Sequence, residues 1–340
     1  MSYEIREISP EENIDFSLLP KNTHFTQSDF YANWQRSLGR FVGRYAIYKD
    51  NIFCAFFQVI EFPLIFSQKY LYIPYGPVTN DQSKELILFI KDELKKILTN
   101  RKAVFVRLDF NPTLDENLLG ELFKKSPKAT YHSATFQPRT EWHLDISKKE
   151  ADLLAEMEKD TRYSVRTSLK REVKTEIISN NFGDYFEDFY SLMKMTAERN
   201  KFGIHKKEYY RAIFDSLPTI KNSFLSVAKF EGKNLVIDLM IAFGDTVHYV
   251  FGASSDEERK RLPSYSAIWN AIKYSKEIGY KNFSFGGISS KDDSYSGWKS
   301  LTEFKRGWGG GEVKYSDFYD IVEKKFWYYL YCFRRFLKSF

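Results

Sequence analysis

FLSVAKFEGKNLVIDLMIAFGDTVHYVFGA, residues 224–253, holds three runs rich in β-branched and aromatic residues: Phe224–Phe230, Asn234–Phe243 and Thr246–Ala253. Runs of this composition bounded by turn residues read as strands, and Glu231-Gly232-Lys233 supplies a hairpin between the first two. Immediately after them, Ser264–Ile278 places apolar residues at helical spacing and ends at Gly279, a residue suited to the left-handed backbone that closes a helix. A short strand, Asn282–Phe285, follows. The order is therefore meander, helix, strand.

The first half of the chain has the same order. Ser28–Leu38 reads as a helix opened by a Ser or Asp cap, then come strands at Arg44–Tyr48, Ile52–Glu61 and Tyr70–Ile73. The turn Pro74-Tyr75-Gly76-Pro77 closes them, and a periodic helix at Ser83–Leu98 leads to a buried strand, Ala103–Phe110. Between the halves, Lys149–Lys159, Thr161–Arg171 and Tyr185–Asn200 read as helices. An order used twice implies an α+β chain of two tandem domains of one design. The boundary is expected near Glu141–Ser147, giving residues 1–145 with 318–340 as one domain and 146–317 as the other. The last segment, Glu312–Phe340, reads as a strand leading into a helix that folds back on the first half.

Composition excludes several classes. The 340 residues suit two cores, and 28% charged residues are ordinary for a globular protein. Aromatics make up 18% of the chain, a level that suits sites mixing stacking with hydroxyl hydrogen bonds. A net charge of +6 permits a polyanionic partner without requiring one. Two cysteines, Cys54 and Cys332, give neither a disulfide framework nor a thiolate metal site, and the default is a reducing compartment. MSYEIREISPEE has no apolar stretch and is not a signal peptide. No run approaches the ~20 apolar residues of a spanning helix, so the expectation is a soluble, cytoplasmic protein, at most peripheral on the inner face of a membrane.

The second-half pattern resembles the acetyltransferase fold, in which a glycine-rich loop before the long helix wraps the pyrophosphate of acetyl-CoA. Here that loop is Arg259-Lys260-Arg261-Leu262-Pro263-Ser264, which contains no glycine, and Pro263 has no N–H to offer. A later match, Arg306-Gly307-Trp308-Gly309-Gly310-Gly311, precedes a strand signal rather than a helix. The fold points to acyl transfer while the usual acyl carrier is excluded.

Phe304-Lys305-Arg306-Gly307-Trp308-Gly309-Gly310, Tyr249–Ser255, Phe285-Gly286-Gly287-Ile288, Tyr72–Pro77, Arg107-Leu108-Asp109 and the basic run Thr161–Arg166 occur in an order similar to that of the Fem family. With room for only a short connection in its second half, the chain is similar to the compact type, without a long coiled-coil arm. The resemblance implies two acetyltransferase-like (GNAT-like) domains and an aminoacyltransferase. Its donor would be aminoacyl-tRNA, and its acceptor the stem-peptide amine of a peptidoglycan precursor, either UDP-MurNAc-pentapeptide or the lipid-linked form. No cofactor is implied, the charged tRNA being a co-substrate. Two other functions stand beside this one: an aminoacyl-tRNA-dependent transferase acting on protein N-termini, and a non-catalytic module binding tRNA or a membrane surface.

By itself Lys305 reads as a surface lysine in a charged turn. The resemblance instead puts it, with Phe304 before it, at the oxyanion of ester aminolysis. Asp109 has two readings of equal standing, a general base for the amine or a cap for the turn at Asn111-Pro112. For the precursor the resemblance offers Arg36, Tyr75, Gly76, His205, Tyr209 and Tyr249. His205 takes a place where the family pattern has arginine, which weakens bidentate phosphate binding there. Tyr249 reads equally as core.

Arg162, Arg166, Lys170 and Lys174 recur every four residues, which on one continuous helix forms a cationic stripe. It reads as a solvated face or, given a tRNA donor, as a contact to the phosphate backbone. The five histidines, His24, His132, His143, His205 and His248, show no ligand spacing, and no metal site is expected. The tail Lys324–Lys338 mixes aromatics with five cations. It suits an anionic membrane surface, or a helix laid on the first domain.

Overall fold

The computed structural model describes residues 2–12, 14–110, 114–130, 136–290 and 298–337. The chain divides into two compact units, Met1–Arg139 with Lys314–Phe340, and Thr140–Val313. Among the described residues each unit is built on one mixed sheet, of eight strands in the first and seven in the second.

In the first sheet the strands run in the order Tyr3–Glu7, Val42–Lys49, Ile52–Pro63, Lys69–Ile73, Phe105–Asp109, Phe318–Val322 and Lys124–Lys125, with Val78–Thr79 paired to Ile52–Pro63. Lys69–Ile73 and Phe105–Asp109 are parallel, so the chain must cross over between them, and the helix Lys84–Asn100 makes that crossover. Ser83 caps this helix, accepting from the Leu86 N–H. Leu86, Ile87, Ile90, Leu94, Ile97 and Leu98 fall on one face at helical spacing and are buried against Ile47, Phe57, Val59, Leu71 and Ile73. Emptying one such position, Leu94 for example, would cost about 2–5 kcal/mol.

The second sheet runs Gly311–Lys314, Thr140–Asp145, Asn282–Gly287, Thr246–Ser254, Lys233–Phe243, Phe224–Phe230 and Lys174–Ile178. Its parallel pair is Thr246–Ser254 with Asn282–Gly287, and the crossover is the helix Pro263–Glu277, which buries Ile268, Trp269, Ala271 and Ile272 on Phe224, Met240 and Phe283. Both units thus share an antiparallel meander, a helical crossover and a parallel strand. In each, an antiparallel strand flanks the parallel one: Phe318–Val322 in the first and Thr140–Asp145 in the second.

Three boundaries differ from the sequence reading, and the simplest is that the C-terminal part of the first unit begins at Lys314 and not at Phe318. Residues 140–145 belong to the second sheet, because Glu141, His143, Leu144 and Asp145 pair with Gly287, Ser284, Phe283 and Asn282. The helix expected over Thr161–Arg171 ends at Ser168, Glu172 takes a left-handed φ of +59°, and Lys174 opens a strand. The β-branched residues Thr175, Ile177 and Ile178 favour the ladder with Leu225–Lys229 over another helical turn.

Candidate active site

In the second unit the parallel ladder runs from Thr246↔Asn282 to His248↔Ser284 and stops. A bulge against the neighbouring strand pairs Leu239 with Phe251 and Met240 with Tyr249, bending the chain at the same level. Past the end of the ladder lie Gly286, at a left-handed φ of +72°, and Gly287. The helix Lys299–Arg306 delivers Lys305 here, and its Nζ donates to the Gly287 carbonyl oxygen at 2.6 Å. A Cβ on Gly286 would stand 3.6 Å from the Tyr249 carbonyl oxygen and 3.9 Å from Lys305 Nζ, so the missing side chain keeps this spot open.

Lys305 is 6% exposed, so it is a buried cation and not a lysine of a surface turn. Burial pulls its pKa down to about 8, and the negative charge of Glu141 opposes that pull. Glu141 is itself buried; its Oε2 accepts from Ser284 Oγ at 2.8 Å and lies 3.0 Å from His143 Nε2. Ser284 Oγ in turn accepts from the Gly286 N–H at 3.0 Å, so one network fixes the glycine turn and the carboxylate together. Phe304 faces the other way, edge-on to Tyr265 at 5.5 Å and near Trp308 at 6.2 Å. Gly310 explains the glycine run that follows: at φ +89° a Cβ would meet the His143 carbonyl oxygen at 2.1 Å. Tyr249 is half-buried, and its hydroxyl donates to Asp238 Oδ1 at 3.2 Å. Burial raises the Asp238 carboxyl well above the usual carboxylate range, with the Tyr249 bond opposing.

The loop before the helix Pro263–Glu277 is committed to internal contacts. Leu262 sits at φ +60°, and the N–H groups of Arg261 and Leu262 donate to the carbonyls of Glu258 and Arg259. The Arg261 guanidinium stacks 3.6 Å from the Phe230 ring centre and donates to the Arg171 carbonyl. An acetyltransferase's pyrophosphate cradle needs these groups turned outward.

In the first unit Asp109, Tyr75 and Gly76 come together. Asp109 is 1% exposed, with Oδ1 accepting from the Tyr75 N–H at 2.6 Å and Oδ2 from the Tyr72 hydroxyl at 2.6 Å. Burial raises its pKa well above the usual range while both hydrogen bonds pull it back. The carboxyl therefore holds the Pro74–Pro77 turn, where Tyr75 has a left-handed φ of +48°. The turn at Asn111-Pro112 that the sequence suggested lies outside the described residues. The Tyr75 ring is buried, stacked on Tyr315 at 3.9 Å, and its hydroxyl donates to the Pro138 carbonyl. Gly76 is required by Gln27, whose Nε2 would lie 2.7 Å from an added Cβ. Arg36 is half-buried and donates to Asn33 Oδ1 and to the Val42 carbonyl.

The remaining candidates lie on separate elements. His205 is exposed, and its ring stacks on Tyr209 at 3.8 Å. Arg166 and Lys170 are exposed, whereas Arg162 closes the preceding helix by donating to the Ala155 carbonyl at 3.0 Å. With Lys174 on a strand, the expected stripe reduces to Arg166 and Lys170 near one helix end. Nothing in the sequence warned of Glu141, Ser284 or Asp238, since a lone polar residue in a strand reads as solvent-facing. Only the Phe285-Gly286-Gly287 signal lay beside them.

Tandem acetyltransferase-like units, one carrying a buried lysine at the open end of a parallel pair, define an acyl-transferring enzyme. The chain belongs to the FemAB family, whose profile matches residues 8–133, 125–237 and 229–333. It is 26% identical over 311 residues to a lipid II:glycine glycyltransferase of Staphylococcus haemolyticus (strain JCSC1435), covering 70% of this chain and 73% of the relative. The fold is similar to that of the crystal structure of FemX, with a TM-score of 0.84 at 22% identity over 97% of this chain and 100% of that one. A tandem GNAT protein from the clavulanic acid biosynthesis pathway shares it more distantly, with a TM-score of 0.52 at 7% identity over 94% and 98% of the two chains.

Proposed function

We propose that this chain transfers an amino acid from aminoacyl-tRNA to the stem-peptide amine of a peptidoglycan precursor, building an interpeptide bridge. The relative named above transfers glycine in connection with lipid II, which favours a peptidoglycan acceptor over protein N-termini. The observation that carries the chemistry is Lys305, a buried ammonium held on the Gly287 carbonyl where the parallel ladder opens. In aminolysis the acceptor nitrogen attacks the ester carbonyl carbon, the carbonyl oxygen gains negative charge, and the ribose hydroxyl leaves with a proton. A fixed cation at that oxygen contributes about 2.7–4 kcal/mol to the transition state. Lys305 fills this role, with Phe304 fixing the helix that carries it.

The internally bonded loop Glu258–Leu262 supports a donor other than acetyl-CoA. Arg166 and Lys170 are the exposed cations that would meet tRNA phosphates. His205, Tyr209 and Tyr249 are the second-unit candidates for the precursor, and Arg36 the first-unit one. Asp109, Tyr75 and Gly76, brought together at the first-unit turn, are the further candidates there, Asp109 as a general base for the amine and the other two for the precursor. The enzyme would work in the cytoplasm, at the inner membrane face when its acceptor is lipid-linked.

The test supplies tRNA charged with labelled amino acids and the soluble nucleotide-linked precursor. Label recovered in the precursor peptide is the expected result. Label that stays on tRNA or leaves only as free amino acid, with both soluble and lipid-linked acceptors, would overturn the reading.

A further inference from the structure

The last helix, Lys325–Leu337, has the sequence KFWYYLYCFRRFL and contains no acidic residue. One side packs on the first unit: Tyr328 is buried and donates to Asp320 Oδ2 at 2.7 Å, and Tyr331 lies 5.1 Å from Phe105. Lys324, just before the helix, is turned inward to Gln68 Oε1 and the Lys102 carbonyl. These contacts account for the tail's structural role and leave its other face unexplained.

On that face Phe326 is 72% exposed, Tyr329 58%, Phe333 58%, Phe336 49% and Leu337 58%. At 100° per residue they fall within an arc of roughly 100°. Exposed Lys325 borders the arc on one side and exposed Arg334 on the other. Phe66, 75% exposed in the turn between two strands, extends the patch, its ring 5.8 Å from that of Trp327. An apolar stripe rimmed by cations, on a helix without an acidic residue, matches the two layers of an anionic bilayer surface, with acyl chains for the rings and headgroup phosphates for Lys325 and Arg334.

We propose that the face formed by Phe66, Phe326, Tyr329, Phe333, Phe336 and Leu337 docks the protein on an anionic lipid surface. The geometry alone carries this. It extends the functional reading by bringing the enzyme to an acceptor carried on a lipid, and the two ideas fail separately.

The experiment is co-sedimentation of the full chain with phosphatidylglycerol vesicles and with phosphatidylcholine vesicles, alongside transfer to a soluble acceptor. Wild type should sediment with the anionic vesicles at low salt, less at high salt, and not with neutral ones. Lys325→Gln with Arg334→Gln should weaken partitioning about fivefold for each cation removed. Phe326→Ser with Phe333→Ser should weaken it more, about tenfold for each ring, with wild-type melting because both positions are exposed. Lys324→Gln should weaken it less than Lys325→Gln, since Lys324 is turned inward. Wild type that ignores anionic vesicles overturns the proposal, whether or not it transfers amino acids. Self-association lost in Phe326→Ser/Phe333→Ser, without vesicle binding, would also overturn it by showing that a second copy covers the face. Vesicle binding without transfer to any acceptor would leave the docking surface standing and sink the proposed function.

Discussion

Lys305 is costly where it sits. Its ordinary pKa of 10.5 falls to about 8, so holding the charge at neutral pH opposes folding by about 3 kcal/mol. Between those two values the unfolded chain binds more protons than the folded one, so this residue's contribution to stability improves as pH rises through that window. The proposed catalytic contribution runs the other way, because the cation is present below about 8 and lost above it. Lys305→Met should therefore lower kcat about a hundredfold or more while melting at or above the wild-type temperature at pH 7. The wild-type decline in kcat above pH 8 should be missing in the variant. A variant that melts lower and keeps its kcat would make Lys305 a structural residue. Lys305 was legible as a candidate only through its neighbours Phe304 and Gly307-Trp308-Gly309-Gly310. Its burial was not legible, because a lysine two residues before Gly307 carries no local sign of what folds over it.

At the scale of elements, the exposed cations beyond Arg162 can be separated by role. Arg162 caps carbonyls at Ala155 and neighbouring positions, whereas Arg166 and Lys170 point to solvent. Arg166→Ala with Lys170→Ala should raise the KM for charged tRNA and flatten its salt dependence by about 0.7–0.9 in the log–log slope per lost phosphate contact, leaving the precursor KM alone. Arg162→Ala should lower the melting temperature and leave that slope unchanged. An unchanged slope in the double variant would return both residues to a solvated surface. The meanders and both crossover helices were readable because their periodicity is strong: Phe224–Phe230 has the expected bounds, and Pro263–Glu277 differs from the expectation by one residue at each end. Thr140–Asp145 and Lys174–Ile178 were missed as strands. Each is short and mixes charges with apolar residues, and each is fixed by pairing with distant sequence.

For the molecule as a whole, the repeated order of elements announced two units, but their wiring came from long-range pairing. Phe318–Val322 closes the first sheet against Phe105–Asp109, more than 200 residues earlier in the chain. The pairing is secured by Arg107, whose Nε and Nη2 donate to Asp320 at 2.8 and 2.7 Å, both side chains being wholly buried. The Phe136 ring centre lies 4.7 Å from that guanidinium. Asp320→Ala should destabilise the first unit by about 3–5 kcal/mol, read as an earlier transition in urea, because it strands a buried cation. A loss under 1 kcal/mol would mean that the C-terminal strand contributes little to the first sheet.

Whether the amino acid is taken from tRNA is read from the mass of the product. Wild-type protein would be given acetyl-CoA and a mixture of charged tRNAs together, with the nucleotide-linked and lipid-linked precursors offered in turn. The expected outcome is a precursor heavier by one amino-acid residue on its stem-peptide amine, no acetylated product, and loss of the gain when the tRNAs are deacylated beforehand. An acetylated acceptor, or an amino-acid gain that survives prior deacylation, would contradict it.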